Sequence, residues 1–250
     1  MSQKIKKPLL YSLIKKTVTL FYKKRAFEGL ANIPEEPSII VGNHSKTHGP
    51  IMSELYFPKK KYIWCIGQMM NMKEAPDYAF DDFWSKKPKW NRWIYRILSY
   101  LIAPIAAYIF NNADCIPVYK DMRLAKTYIN TVRGLEEGRR IIIFPECHNP
   151  FNNIINDFQD RFVDVAKLYH KRTGKNLAFV PMYHAVKLKK VVFGKPVFYD
   201  PDVPIEEQRK LIINYLQTNI TSLAKGLPKH FVVPYENVKK RSYVTNLTEN

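Results

Sequence analysis

The chain has 250 residues, 46% of them hydrophobic and 14% aromatic, with 40 Lys and Arg against 22 Asp and Glu for a formal charge of +18. That composition excludes a disordered polymer, fits a folded protein with a sizeable core, and favours anionic partners. Three widely spaced cysteines, Cys65, Cys115 and Cys147, exclude a disulfide framework and a Cys-x-x-Cys metal site and point to a reducing compartment.

Residues 1–25 carry eight Lys or Arg and no acidic residue, while Leu9, Leu13, Val18 and Phe21 fall at helical spacing. A basic amphipathic helix follows, too short and too charged to span a bilayer. It either lies on an anionic leaflet or packs on the protein's own core with a solvated lysine face. Lys15 and Lys16 interrupt its apolar stretch and no small-residue cleavage site comes after it, so no secretory signal is read and a cytoplasmic location is expected.

The β-branched run Ile39-Ile40-Val41 predicts a short buried strand, broken by Gly42-Asn43, with a helix over 50–56 and a second strand over 62–67. Residues 71–92 read as irregular, rich in aromatic and charged residues. Trp93 to Phe110 is the most apolar stretch, but it contains Arg96 and Pro104, so a membrane-dipping or buried helix is expected and not a true span. Lys86 to Trp93 has a composition suited either to stacking bases or to a membrane interface. Its apolar neighbour favours the membrane, and no nucleic-acid partner is expected.

Strands are expected over 115–119, 140–145 and 177–183 and over "KVVFGKPVFYD", with helices over 122–137 and 205–225. Strands alternating with helices imply an α/β fold with a largely parallel central sheet flanked by helices. The division expected is a membrane-associating helix over 1–25, a single α/β domain over 26–228, and a polar C-terminal tail over 229–250.

Three candidate sites follow three strands, where open α/β sheets gather ligands: His44, Lys120 and Glu146. The segments around them are "NHSKTHG" (43–49), "IPVYK" (116–120) and "FPECHN" (144–149), followed by "FVPMY" (179–183) and "FGKP" (193–196). In order and separation these resemble the motif blocks of the glycerolipid acyltransferase family, typified by 1-acylglycerol-3-phosphate acyltransferases. The family's blocks read Asn-His-x-x-x-x-Asp, Ile-Pro-Val-x-Arg, Phe-Pro-Glu-Gly-Thr-Arg and a strand ending in Val-Pro.

The resemblance implies a glycerol-3-phosphate acyltransferase-like fold and an O-acyltransferase of phospholipid metabolism on the cytoplasmic face of a membrane, peripheral or monotopic. His44 would take the proton of an acceptor hydroxyl as it attacks a thioester carbonyl. The donor would be acyl-CoA or acyl-carrier protein, both anionic like the membrane surface, and the acceptor a lysophospholipid or related molecule. Lys120, Arg123, Glu146, Cys147 and His148 would lie at the acceptor. No cofactor is implied. The pair His44-x-x-x-His48 lacks a third ligand, so no metal is expected.

Five positions depart from the family pattern. Gly49 stands where the family has the Asp that orients the histidine, Lys120 replaces an Arg, and Cys147, His148 and Asn149 replace Gly, Thr and Arg. In a serine-protease triad, loss of the corresponding Asp costs about four orders of magnitude in rate. Three explanations stay open. His48 assists His44; a carboxylate from elsewhere, Glu54, Asp81, Asp82 or Glu146, takes the Asp's place; or the chain binds lipid or membrane without transferring acyl groups.

Overall fold

The structure is a computed structural model that describes residues 7–85 and 87–248, apart from the Asn149 side chain. Lys4 and Lys6 of the basic N-terminal segment, Lys86 of the aromatic-basic segment and the last two residues of the tail lie outside the described residues.

The first half of the chain holds α1 (Leu9–Phe21), β1 (Ala26–Glu28), β2 (Ser38–Gly42), α2 (His48–Tyr56), β3 (Lys61–Ile66), α3 (Ala75–Phe83), α4 (Arg92–Asn112) and β4 (Cys115–Val118). The second holds α5 (Leu124–Glu136), β5 (Arg140–Ile143), β6 (Glu146–Phe151), β7 (Asn156–Phe158), α6 (Asp164–Thr173), β8 (Ala178–Ala185), β9 (Lys190–Phe193), β10 (Val197–Phe198) and α7 (Ile205–Lys225). They make an α/β fold with a mostly parallel central sheet flanked by helices, as the alternation of elements implies. Where the sequence reads as one domain over 26–228, the contacts gather the chain into two compact units, 1–22 with 63–129 and 23–62 with 130–250.

In the larger unit the strand order is β1-β9-β8-β2-β5. β2 runs parallel to both β5 and β8, with Ile40 beside Ile142 and Val180. A strand paired on both sides and covered on both faces needs apolar residues at every position, and all five β2 residues are buried. β9 and β10 pair antiparallel with successive parts of β8. "KVVFGKPVFYD" is therefore two strands and not one, since Pro196 has no N–H to continue a ladder. α7 packs on β8 and buries Gln208, Ile212, Leu216, Ile220 and Ala224, a four-residue repeat along one face.

The C-terminal segment is not a loose polar tail. Asn246 is fully buried, donates from Nδ2 to the Ala224 and Leu227 carbonyls at 2.8 and 3.1 Å, and accepts from His230 N at 2.9 Å. His230 Nδ1 lies 2.8 Å from the Pro228 carbonyl, which only accepts, so Nδ1 carries the proton and Nε2 receives the Tyr183 hydroxyl at 3.0 Å. Val232 and Val233 are buried alongside.

In the smaller unit β3 and β4 pair in parallel, with Ile63 beside Cys115. The thiols of Cys65 and Cys115, far apart in sequence, meet at 3.0 Å. α3 forms where the sequence reads as irregular. Pro76 suits a first turn, Asp77 complements the helix N-terminus, and Ala75 and Ala79 face inward against Met69 and Ala103 of α4. Arg96, the charge inside the apolar stretch, pairs with Asp77 at 2.6 Å and lies over the Phe80 ring. Residues 89–112 are long and apolar enough to cross a membrane, with 22% of the most apolar window buried. α1 buries Tyr11 but exposes Leu9, Leu13, Leu20 and Phe21.

Candidate active site

Where β2 ends, Asn43 is buried and its side chain ties the turn to β8. Its Oδ1 accepts His184 N at 2.7 Å, while Nδ2 donates to Ser45 Oγ at 2.7 Å. Ser45 and Lys46 then take left-handed φ values of 48° and 57°, unusual for residues with a Cβ. This sharp reversal lets Gly49 N donate to the His44 carbonyl at 3.0 Å as α2 begins.

The His44 ring sits edge-on to Phe144 and Tyr235, with centroids 5.6 and 5.2 Å away. Its Nδ1 is buried with no hydrogen-bond partner among the described residues. Burial lowers its pKa from the usual 6.5 to about 4, and the Lys46 backbone opposes the shift only in part. The ring is therefore neutral at physiological pH.

Glu146 stands at the end of the neighbouring strand, just past Pro145, and is 4% exposed. One oxygen accepts the His44 main-chain N–H at 2.5 Å, the other that of Asn156 at 2.9 Å. Burial pushes its pKa from 4.5 to about 7, and the two backbone donors hold it below where burial alone would take it. Glu146 thus positions the turn that bears His44. It does not act on the ring.

The Asp position of the family motif has no room for an Asp. A Cβ on Gly49 would meet Phe144 Cε1 at 2.7 Å and the Asn43 and His44 carbonyl oxygens at 2.9 Å. Two of those three are backbone atoms of the turn itself and cannot step aside. Nor does another carboxylate reach Nδ1 among the described residues. Glu54 pairs with Lys61 at 2.7 Å, Glu146 serves two backbone amides, and Asp81 and Asp82 belong to α3 of the smaller unit.

His48 opens α2 and does not bond Nδ1 of His44. Its pKa is lowered by burial first, then by Arg25, Lys187 and Lys46. Behind it Arg25 Nε donates to His184 Nε2 at 3.2 Å, and burial followed by Arg25 lowers the His184 pKa to about 3.

The third block stays together around the base. The exposed His148 ring lies 5.3 Å from Tyr235, and its Nδ1 is 3.8 Å from Glu236. Cys147 Sγ donates to the Asp157 carbonyl at 3.0 Å, a partner that is no base for a nucleophilic thiol. Lys120 is exposed after β4 in the smaller unit. Arg123, also in that unit, commits its fork to Asp121 and Glu74 at 2.7–3.2 Å and stacks 3.7 Å over Tyr119. These contacts occupy the donors that a phosphate would need.

Sequence reading missed Tyr235 and Asn156. Neither lies in a motif block, and Tyr235 follows His44 by almost the whole length of the domain. Asn43 lay within the quoted motif, where an Asn at a strand end signals a side chain that satisfies local backbone.

No protein-family model matches the sequence, and no curated protein matches it. Among solved structures the chain is similar to the 1-acyl-sn-glycerophosphate (LPA) acyltransferase PlsC from Thermotoga maritima. The two are 16% identical with a TM-score of 0.46, over 86% of this chain and 80% of that one.

Proposed function

We propose that this chain transfers a fatty acyl group from acyl-CoA or acyl-carrier protein to a hydroxyl of a lysophospholipid or related acceptor, at the cytoplasmic surface of a membrane. The observation that carries this reading is that His44 and Glu146, the hallmarks of the first and third motif blocks, end adjacent parallel strands and are joined by a hydrogen bond. In the reaction the acceptor oxygen attacks the thioester carbonyl while the neutral His44 ring takes its proton. The tetrahedral adduct then collapses, the C–S bond breaks, and the imidazolium returns the proton to the departing thiolate.

Without a carboxylate behind Nδ1 the imidazolium has only the Lys46 backbone to favour it, so turnover about four orders of magnitude below that of a complete His–Asp pair is expected. The crowding at Gly49 favours a second reading, a protein that keeps the scaffold to bind lipid and has lost the chemistry. The exposed apolar faces of α1 and α4 suit membrane attachment in either case.

The test is purified protein with labelled acyl donor and a panel of lysophospholipid acceptors, beside His44→Ala. Transfer abolished by His44→Ala supports the enzyme. Transfer that survives the substitution removes His44 from the mechanism, and lipid binding without transfer selects the second reading.

A further inference from the structure

Basic side chains from separate parts of the larger unit gather at one edge of its sheet: Arg25 just before β1, Lys46 and His48 after β2, and Lys187 after β8. β2 and β8 run parallel with Gly42 beside Met182, so the loops that follow them leave the sheet at the same end as His44. The Asn43 side chain ties the two ends together by accepting the His184 N–H. Arg25 joins them there, since Ala26 N donates to the Lys189 carbonyl at 2.9 Å and Arg25 Nε donates to His184 Nε2 at 3.2 Å. The closeness of the charges is felt at His48, whose pKa is lowered first by burial and then by Arg25, Lys187 and Lys46.

The cluster carries more positive charge than its surroundings offset. Lys46 Nζ donates to Asn237 Oδ1 at 3.2 Å and to the Val238 carbonyl at 3.4 Å, both neutral, and lies 5.4 Å from the centre of the Tyr243 ring. Lys187 is exposed and makes no ion pair among the described residues. Of the carboxylates close by in the chain, Glu28 pairs with Lys190 at 2.7 Å and Glu236 lies 3.8 Å from His148 Nδ1. Like charges held together cost stability, and such arrangements cluster at functional sites.

The charge is also graded in depth. Arg25 is 8% exposed, Lys46 and His48 are half-buried and Lys187 is exposed. The Arg25 guanidinium therefore acts as a fixed charge from behind, while Lys46, His48 and Lys187 can meet a ligand. This depth suits a compact dianion better than a flat bilayer, which exposed lysines alone would serve. Meanwhile the arginine positions of the motif blocks hold Lys120 and Asn149, and Arg123 is committed to Asp121 and Glu74. We infer that Arg25, Lys46, His48 and Lys187 form a phosphomonoester site at the His44 edge of the sheet, made by residues other than those at the motif arginine positions. Its use in acyl transfer rests on the acyltransferase reading; the binding itself does not. Two ligands of that reaction carry the group, the head of lysophosphatidic acid and the ribose phosphate of coenzyme A.

The experiment measures equilibrium binding without turnover, at an ionic strength of about 0.15 M so that unspecific attraction is screened. One probe pair is short-chain lysophosphatidic acid and the monoacylglycerol with the same chain; the other is coenzyme A and dephospho-coenzyme A. The proteins are the native chain, Arg25→Gln, Lys187→Gln and a control of equal charge loss, Lys210→Gln, exposed on α7 near the opposite end of β8. The native chain is expected to bind the phosphomonoester member of at least one pair about tenfold tighter or more, the worth of a charge-assisted hydrogen bond. Arg25→Gln is expected to abolish that preference, Lys187→Gln to lower it about threefold because its charge is exposed and screened, and Lys210→Gln to leave it unchanged. A preference in the lipid pair assigns the site to the acceptor and one in the coenzyme pair to the donor, and either supports it. If Arg25→Gln does not fold, Lys187→Gln against Lys210→Gln decides. No preference in either pair, a preference that Lys187→Gln leaves intact, or one that Lys210→Gln lowers equally overturns the site. Acyl transfer without a phosphate preference would retain the enzyme and reject the site. A phosphate preference without transfer would do the reverse.

Discussion

Strand β2 and helix α4 are both apolar runs in the sequence, and they end in opposite surroundings. Ile39, Ile40 and Val41 of β2 are fully buried, whereas α4 buries only Ser99, Ala103 and Ala107 along one stripe. Its large side chains face outward, with Trp93, Leu101 and Ile105 64, 65 and 59% exposed. Small residues let α3 approach closely, so the inward face of α4 is the less apolar one. A helix of ordinary soluble character would show the reverse. The contrast teaches that hydrophobicity alone does not locate the core. The partners of β2 are other strands of the protein, while the outward face of α4 meets no partner among the described residues, and a bilayer is the candidate proposed for it.

That contrast breaks if one charge placed in each run has the same consequence. Ile40→Asp puts an unpaired carboxylate between two strands and is expected to cost more than about 4 kcal/mol, abolishing the folded state in a thermal melt. Leu101→Asp is expected to change stability by no more than about 0.5 kcal/mol while weakening vesicle binding roughly tenfold, since a buried leucine is worth about 1.5–3 kcal/mol. Equal destabilisation by the two would show that α4 is part of the core.

Gly49→Asp tests whether the turn beyond β2 is as unyielding as β2 itself. The substitution is expected to destabilise by about 1–3 kcal/mol in chemical denaturation, without raising acyl transfer. A gain in activity would show that the turn can open for a carboxylate.

Glu146 and His44 give opposite pH signatures at the end of the same strand pair. The Glu146 pKa is raised from 4.5 to about 7, so its contribution to stability is fully present below pH 4.5 and is lost as pH rises through about 7. The His44 pKa is lowered from 6.5 to about 4, so its contribution is fully present above pH 6.5 and is lost as pH falls through about 4. Glu146→Gln removes the first and leaves the second. Its stability is expected to climb more steeply with pH between 4.5 and 7 than that of the native chain, as read by melts across that range. A smaller effect concerns the base alone: any acid limb of acyl transfer due to His44 is expected near pH 4 and not near 6.5.

Strands β2 and β5 were legible because each holds a continuous β-branched run, and His44 and Glu146 because they follow those runs inside short motifs. α3 was not, because its identity rests on inward alanines among charged and aromatic neighbours, a pattern with no strong period. Residues 230–246 read as a tail for a related reason. They are held by one buried amide, Asn246, reaching back to the carbonyls that end α7, together with buried Val232, Val233 and the Tyr183–His230 hydrogen bond, and no local sequence pattern announces such long-range ties. With those ties unread, Tyr235 was out of reach.

The Asn246 tie has a consequence during synthesis. Until residue 246 leaves the ribosome, the segment bearing Tyr235 and Glu236 lacks the Asn246 hydrogen bonds that tie it to the end of α7, although β2, β5 and β8 are already complete. A chain made from its N-terminus therefore completes these strands before the segment that covers His44 on the Tyr235 side is tied down by Asn246.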